Sequence, residues 1–153
     1  MMNDEALLLD QAGIAALIPH AGSMCLLDGL LAWDAHSIRC RASGHHAADH
    51  PLRTASGLLA TAAIEYAAQA MALHGALLAQ SSGAPAAPGF LASARGVRCH
   101  RLHLHDLPGA LDVVAERVAG DAHQLLYAFR VQHAGTPVAD GRAAVVLHPG
   151  ETP

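Results

Sequence analysis

Lysine is absent from this 153-residue sequence, and all nine of its basic residues are arginines. Thirteen acidic residues outnumber them, which gives a formal net charge of −4 at pH 7. The arginines form no basic stripe along the chain, and aromatic residues make up only 3% of it. Proteins that bind nucleic acids concentrate basic residues on one surface. The composition therefore argues against nucleic acid as a partner.

Cysteine is also scarce, with Cys25, Cys40 and Cys99 at wide spacing. An odd, scattered set of this kind argues against the disulfide framework of a secreted protein and for a reducing compartment. The first residues include Asp4 and Glu5 and lack the basic region that opens a signal peptide. We therefore expect the protein to be cytoplasmic.

Formal charge is nearly missing between Arg53 and Arg95, where Glu65 is the only charged residue. The segment Ala55–Leu78 is long enough to cross a bilayer. An ionised carboxylate inside hydrocarbon is costly, however, and Gln69 adds a second polar interruption. We expect a helix buried inside a soluble protein and no membrane partner. Because 52% of the residues are hydrophobic and only 14% are charged, we expect part of the apolar surface to lie in a subunit interface.

Strand patterns flank this helical segment on both sides. Ser37–Ala42 alternates apolar residues with arginines, as a half-buried strand does, and glycine-containing turns separate the later segments. The predicted strands are Met24–Trp33, Ser37–Ala42, Phe90–Leu104, Leu111–Val118, Gln124–His133 and Val138–Leu147. Two strands, one long helix and four more strands predict a single α+β domain over residues 1–153. Its antiparallel sheet of five to six strands would wrap around the central helix.

Glu65 is expected in the middle of that buried helix. A buried carboxylate must be paired, hydrogen-bonded, protonated or functional. Burial raises the pKa of a carboxyl group, which suits a general acid or base that works near neutral pH. Gln69 lies four residues later on the same helical face, where it can orient Glu65 or hold a substrate carbonyl. The alternative is that Glu65 reaches a solvent edge or pairs with an arginine such as Arg53.

Two motifs resemble bacterial 3-hydroxyacyl-acyl-carrier-protein dehydratases. Residues 57–70 read GLLATAAIEYAAQA, similar to the Gly-Val-Leu and Glu-x-x-x-Gln of the central helix in that family. Residues 17–28 read LIPHAGSMCLLD, similar to its N-terminal Leu-Pro-His segment and the strand that follows. Both motifs are closer to a divergent branch from aryl-polyene-type biosynthesis. The resemblance implies a hot-dog fold, a substrate bound to an acyl carrier protein or coenzyme A, and no cofactor.

The same resemblance implies roles for particular residues. In the family, a histidine from the loop before the helix meets a carboxylate of the partner subunit, so a homodimer or a heterodimer with a homologous dehydratase is implied. His50 is then the base and Glu65 its catalytic partner, with His20 as the alternative histidine. Gly57 would let backbone amides polarise the thioester carbonyl. Here Gly57 and Glu65 are three residues farther apart than in the family, about one helical turn.

Other functions remain open on the same fold. A helix carboxylate can activate water, which would make the protein an acyl thioesterase, and a subunit that has lost one catalytic group would only bind an acyl chain beside an active homologue. His45, His46 and His50 lie in one loop, but no cysteine stands nearby and their spacing fits no known ligand motif. No metal site is therefore expected.

Overall fold

The computed structural model describes residues 6–20, 22–83 and 89–147. Its two α-helices are α1 (Gln11–Ala15) and α2 (Ala63–Ser82), and short 3-10 turns cover Gly22–Met24, Gly44–His46 and Ala60–Ala62. The strands are β1 (Leu9–Asp10), β2 (Gly29–Trp33), β3 (Ser37–Ala42), β4 (Gly89–Cys99), β5 (Leu111–Gly120), β6 (Gln124–His133) and β7 (Thr136–Leu147).

The seven strands form one antiparallel sheet in the order β1-β2-β3-β5-β6-β7-β4. The alternation in β3 explains its orientation, because Ile38, Cys40 and Ala42 are buried while the residues between them are half-buried. Successive side chains of a strand point to opposite faces, so one face of the sheet is apolar and covers the core. The other face carries most of the arginines of the strands.

Helix α2 lies against the apolar face and packs on β3, β4, β5 and β6. Its buried residues include Tyr66, Leu73 and His74, and they spread over more than one side of the helix. Gly83 ends the helix in a left-handed conformation with φ of 71°, which glycine adopts without steric cost. The prediction of an α+β protein with one long helix enclosed by an antiparallel sheet is confirmed.

Four details of that prediction are wrong. Helix α2 begins at Ala63 instead of Ala55 and continues to Ser82, because Thr54–Gly57 forms a tight turn, Leu59 is extended and Ala60–Ala62 forms a 3-10 turn. The segment 101–105 alternates like a strand but makes only an isolated bridge, between His103 and Leu59. The strand predicted from Met24 begins at Gly29. The sheet has seven strands instead of five to six, because the two-residue β1 also joins it. None of the described helices is long and apolar enough to cross a membrane.

Candidate active site

Glu65 lies in the first turn of α2, not in the middle of a buried helix as the sequence suggested. Its side chain is 36% exposed, and Oε1 lies 3.6 Å from Nε2 of His20, whose side chain is 26% exposed. The positive end of the helix dipole favours a carboxylate at this place. Of the two alternatives for Glu65, the solvent edge is observed and the pairing with Arg53 is not, since that guanidinium donates to the carbonyls of His46 and Ala47. Glu65 therefore faces an accessible surface beside a histidine.

Gln69 explains why His20 lies near the helix. Its Oε1 accepts a hydrogen bond from the Leu26 N–H at 2.8 Å, and its Nε2 donates to the Met24 carbonyl at 2.6 Å. Gln69 is fully buried, so these two bonds tie the segment after His20 to the helix one turn beyond Glu65. Both the oxygen and the nitrogen of the Gln69 side-chain amide are hydrogen-bonded to backbone groups. The motif at residues 17–28 and the motif in the helix thus meet in space.

His50 contacts the neighbouring helix residue instead of Glu65. Its Nε2 lies 2.9 Å from the Tyr66 hydroxyl, and its Nδ1 accepts a hydrogen bond from the Leu52 N–H at 3.1 Å. An Nδ1 that accepts a bond leaves the proton of the neutral ring on Nε2, which therefore donates to Tyr66. Burial lowers the pKa of His50 below its ordinary value, and burial raises the pKa of the Tyr66 phenol. This pair is neutral and enclosed.

Gly57 occupies the turn that precedes the helix. Its φ is 94°, and a Cβ there would lie 2.2 Å from Cε1 of His105, so glycine is needed for both reasons. The Gly57 N–H donates to the Thr54 carbonyl, and the Gly57 carbonyl accepts from the Thr54 N–H and Oγ1. His105 Nδ1 in turn accepts from the Leu58 N–H at 3.0 Å. These bonds hold the approach to α2 in place.

Sequence reasoning assigned no chemical role to Tyr66, His105 or His74. The hydroxyl of Tyr66 bonds His50, and the ring of His74 joins the Tyr127 hydroxyl and the Asp34 carbonyl, each at 2.8 Å. Sixteen or more residues separate each side chain from its partner, so no local spacing could have identified them. Tyr66 is fully buried in the core.

Two histidines of the histidine-rich loop are hydrogen-bonded to a backbone carbonyl. His45 and His46 both hydrogen-bond the Leu107 carbonyl through Nε2, and His133 bonds the Pro108 carbonyl at 2.5 Å. Among the described residues, no group of three or more histidine, cysteine or acidic side chains is arranged to hold a metal ion.

A sheet that encloses one long helix is the architecture of the hot-dog proteins. Solved structures share this fold. The dehydratase heterocomplex ApeI:P from Xenorhabdus doucetiae is 20% identical with a TM-score of 0.79, covering 90% of this chain and 91% of that one. A thioesterase variant from Staphylococcus aureus is 11% identical with a TM-score of 0.61, covering 79% and 93%. A protein from Silicibacter sp. TM1040 is 15% identical with a TM-score of 0.58, covering 95% and 96%.

The sequence itself identifies the branch. Residues 12–152 match the ApeP-like family, described as ApeP dehydratase, and the chain therefore belongs to that family. No curated protein matches the sequence. The resemblance to dehydratases of the aryl-polyene type is confirmed by this match.

Proposed function

We propose that this protein removes water from 3-hydroxyacyl groups bound as thioesters to an acyl carrier protein, with Glu65 and a histidine as the acid/base pair. The observation that carries the proposal is the accessible His20–Glu65 pair, with 3.6 Å between Nε2 and Oε1, in a chain of a dehydratase family. The two groups are close without being locked in a direct hydrogen bond, which has a length of about 2.7–3.2 Å.

The reaction needs two proton transfers and no cofactor. A histidine nitrogen takes the C2 proton, the electrons of the C2–H bond form the C2=C3 double bond, and the C3–O bond breaks. The proton of the pair, which passes from the histidine to Glu65 before the reaction, is given by Glu65 to the leaving hydroxyl, which departs as water. The proton on the imidazolium then returns to the carboxylate, so the pair is restored. Each partner must lie close to the other for that return.

His20 is the histidine that the geometry of one chain favours. Its Nδ1 is buried without a hydrogen-bond partner among the described residues, so no described group fixes which ring nitrogen carries the proton. His50 is 8% exposed, and both of its nitrogens are engaged. In this proposal His50 is a positioning residue that holds the loop before the helix through Tyr66. The family resemblance instead implies that His50 acts on Glu65 of a second subunit.

A second subunit is part of the proposal. Strand β4 ends the sheet and is 11 residues long, and Phe90 and Leu91 on it are 56% and 39% exposed. An exposed edge strand is a template for pairing with another chain. ApeI:P, which shares the fold, is a heterocomplex. We propose that this chain forms a homodimer, or a heterodimer with a homologous dehydratase, along β4. A cytoplasmic location fits the three cysteines, all of which are free.

The first test identifies the product. The protein is incubated with an acyl carrier protein that bears a 3-hydroxyoctanoyl group, and the mass of the acylated carrier is then measured by mass spectrometry. Loss of one water supports the proposal. Release of the free acid would identify a thioesterase instead, and no turnover with retained binding would identify a non-catalytic partner subunit.

A second test separates the two histidines. Glu65→Gln and His50→Ala chains are mixed, unfolded and refolded together so that mixed dimers form. A site built from His50 of one subunit and Glu65 of the other would be intact in a mixed dimer, and part of the activity would return. A pair formed by His20 and Glu65 of one chain predicts that the folded His50→Ala chain is itself active, so that mixing adds no activity beyond what this chain brings.

A further inference from the structure

The backbone amides around Gly57 already have hydrogen-bond acceptors within the chain. The Gly57 N–H donates to the Thr54 carbonyl at 2.9 Å, and the Leu58 N–H donates to Nδ1 of His105 at 3.0 Å. When a base removes the C2 proton of a thioester, part of the negative charge moves onto the carbonyl oxygen, and a donor at that oxygen lowers the barrier. These two amides are not free to be that donor.

The amide at the start of the 3-10 turn is engaged as well. The Ala60 N–H donates to the Leu102 carbonyl at 2.8 Å, beside the bridge between Leu59 and His103. An amide that leaves such a bond for a substrate carbonyl exchanges one hydrogen bond for another and gains little free energy. A strong donor for the carbonyl has to come from another group near the start of helix α2.

Thr61 presents a hydroxyl at this place. It is exposed and lies in the 3-10 turn Ala60–Ala62 that leads into α2. A threonine near the start of a helix often caps it, but neither the turn nor the helix has a side-chain cap. Among the residues that the structure describes, none is hydrogen-bonded to the Thr61 hydroxyl. This hydroxyl is therefore free to donate to a ligand.

The Thr61 side chain lies on the same side of the helix start as Glu65. The two residues are four apart in the chain, and residues at that spacing on a helix have Cβ atoms about 5–6 Å from each other. Side chains of a helix lean towards its N-terminus, so the carboxylate of Glu65 reaches back over the turn that holds Thr61. The neighbours Ala60, Ala62 and Ala63 carry only methyl groups, which leave room for a thioester.

We propose that the Thr61 hydroxyl donates a hydrogen bond to the thioester carbonyl of the substrate while Glu65 acts at C3. The inference rests on the proposed function and adds a catalytic residue to it. The carbonyl carbon and C3 are separated by two carbon–carbon bonds, so groups one helical turn apart, about 5.4 Å, can contact the oxygens on both. Because Thr61 and Glu65 belong to one chain, the assignment is the same for His20 and for His50 as the base.

The hydroxyl takes part without giving up its proton. As the C2–H bond breaks and the histidine takes the proton, the electrons of that bond are shared with the carbonyl oxygen, and the hydrogen bond from Thr61 becomes stronger. The same electrons then form the C2=C3 double bond as the C3–O bond breaks and water leaves. The charge on the carbonyl oxygen disappears at that point, and Thr61 is unchanged.

The kinetic test compares three variants. Thr61→Val keeps the side-chain shape and removes the hydroxyl, Thr61→Ser restores a hydroxyl, and Thr136→Val makes the first change at an exposed position at the start of β7. With the 3-hydroxyoctanoyl carrier we expect Thr61→Val to lower kcat about 10²-fold, as the loss of one oxyanion donor does, and KM to change much less. Thr61→Ser should stay within about fivefold of the wild type and Thr136→Val should match it.

A binding test examines the carbonyl contact without any turnover. Two analogues of octanoyl pantetheine are titrated by calorimetry: a ketone with CH2 in place of the thioester sulfur, and a compound in which CH2 also replaces the carbonyl. Neither can be cleaved or dehydrated. The wild type and Thr61→Ser should bind the ketone about fivefold more tightly, the usual value of one hydrogen bond, and Thr61→Val should bind both compounds alike.

Several results would overturn the assignment. A wild-type kcat in Thr61→Val would show that the hydroxyl takes no part, and equal losses in Thr61→Val and Thr61→Ser would show a packing effect. A preference for the ketone that is missing in the wild type, or that persists in Thr61→Val, would show that Thr61 does not hold the carbonyl. A wild type that dehydrates no 3-hydroxyacyl carrier would refute the proposed function, and the two analogues would still decide the carbonyl contact.

Discussion

Glu65 and Tyr66 are neighbours in the first turns of one helix, and each meets a histidine in a different environment. Glu65 lies beside His20 on an accessible surface, with both side chains at least a quarter exposed. Tyr66 is fully buried and hydrogen-bonded to His50. Successive residues of a helix are turned by about 100°, so adjacent positions can face solvent and core. We therefore assign proton transfer to the exposed His20–Glu65 pair, called the open pair below. Anchoring of the loop is assigned to the buried His50–Tyr66 pair, called the closed pair.

The largest effect expected for the two histidines is a kinetic one. His20→Ala should lower kcat about 10²–10³-fold, the usual contribution of a general acid or base, without a large loss of stability because the side chain is partly exposed. His123→Ala, at an exposed position in the turn between β5 and β6, serves as the control and should leave kcat unchanged. Steady-state kinetics with the 3-hydroxyoctanoyl carrier measures kcat for both variants. A full kcat in His20→Ala would move the catalytic role to His50.

A smaller effect is expected from Gln69, which ties the segment after His20 to helix α2. Gln69→Leu leaves the Leu26 N–H and the Met24 carbonyl without their partner, which should lower the free energy of unfolding by about 2–3 kcal/mol. Gln11→Leu is the matched control, because Gln11 makes one hydrogen bond, to the Cys25 carbonyl at 3.0 Å, and is exposed. Urea unfolding measures the free energy of unfolding of both variants. Equal losses in the two variants would contradict the anchoring role of Gln69.

The closed pair should matter for stability more than for chemistry. Tyr66→Phe removes the acceptor of the His50 Nε2–H and leaves that buried donor unpaired, at a cost of about 1–2 kcal/mol. We expect kcat per folded molecule to stay within a few-fold of wild type. Unfolding by urea and kinetics on the same preparation test this. A loss of kcat as large as that of His20→Ala, with stability unchanged, would reverse the roles of the two pairs.

The smallest effect is a dependence of stability on pH. Burial is the main cause that lowers the pKa of His45, His50 and His74 below the ordinary 6.5. The unfolded chain therefore binds more protons than the folded one once the pH falls below about 6.5, so stability is full above that pH and decreases below it. Asp34 and Asp121, whose pKa values are lowered from 3.8 by backbone hydrogen bonds, lose their contribution only at much lower pH.

Thermal unfolding between pH 8 and pH 5 checks this prediction. The Tm should be flat down to about pH 7 and then fall, by about 2–4 °C for each ~1 kcal/mol lost in a chain of this size. A Tm that rises as the pH drops from 7 to 5.5 would show that these histidines gain partners in the folded state.

The bounds of the helices and strands were predicted from the sequence more completely than the contacts between distant side chains. β3 and β6 were predicted at their observed bounds, because alternation and turn residues are local signals. The start of α2 was misplaced by eight residues, since the turn at Thr54–Gly57 is held by backbone bonds and by His105, which lies 48 residues after Gly57 in the chain. His20 and Glu65 were both candidates from the motifs, but only the fold, through Gln69, shows that they meet. The enclosed partner of His50 had no signal in the sequence.

The most direct test of the account compares Glu65→Gln with Glu116→Gln. Both variants replace one carboxylate by an amide, and Glu116 lies on an exposed position of β5 away from the helix. Mass spectrometry follows the loss of water from the 3-hydroxyoctanoyl carrier in both variants and in the wild type. We expect Glu65→Gln to slow this loss about 10³-fold or more and Glu116→Gln to match the wild type. A Glu65→Gln protein that is folded and still releases water at the wild-type rate would contradict the central claim.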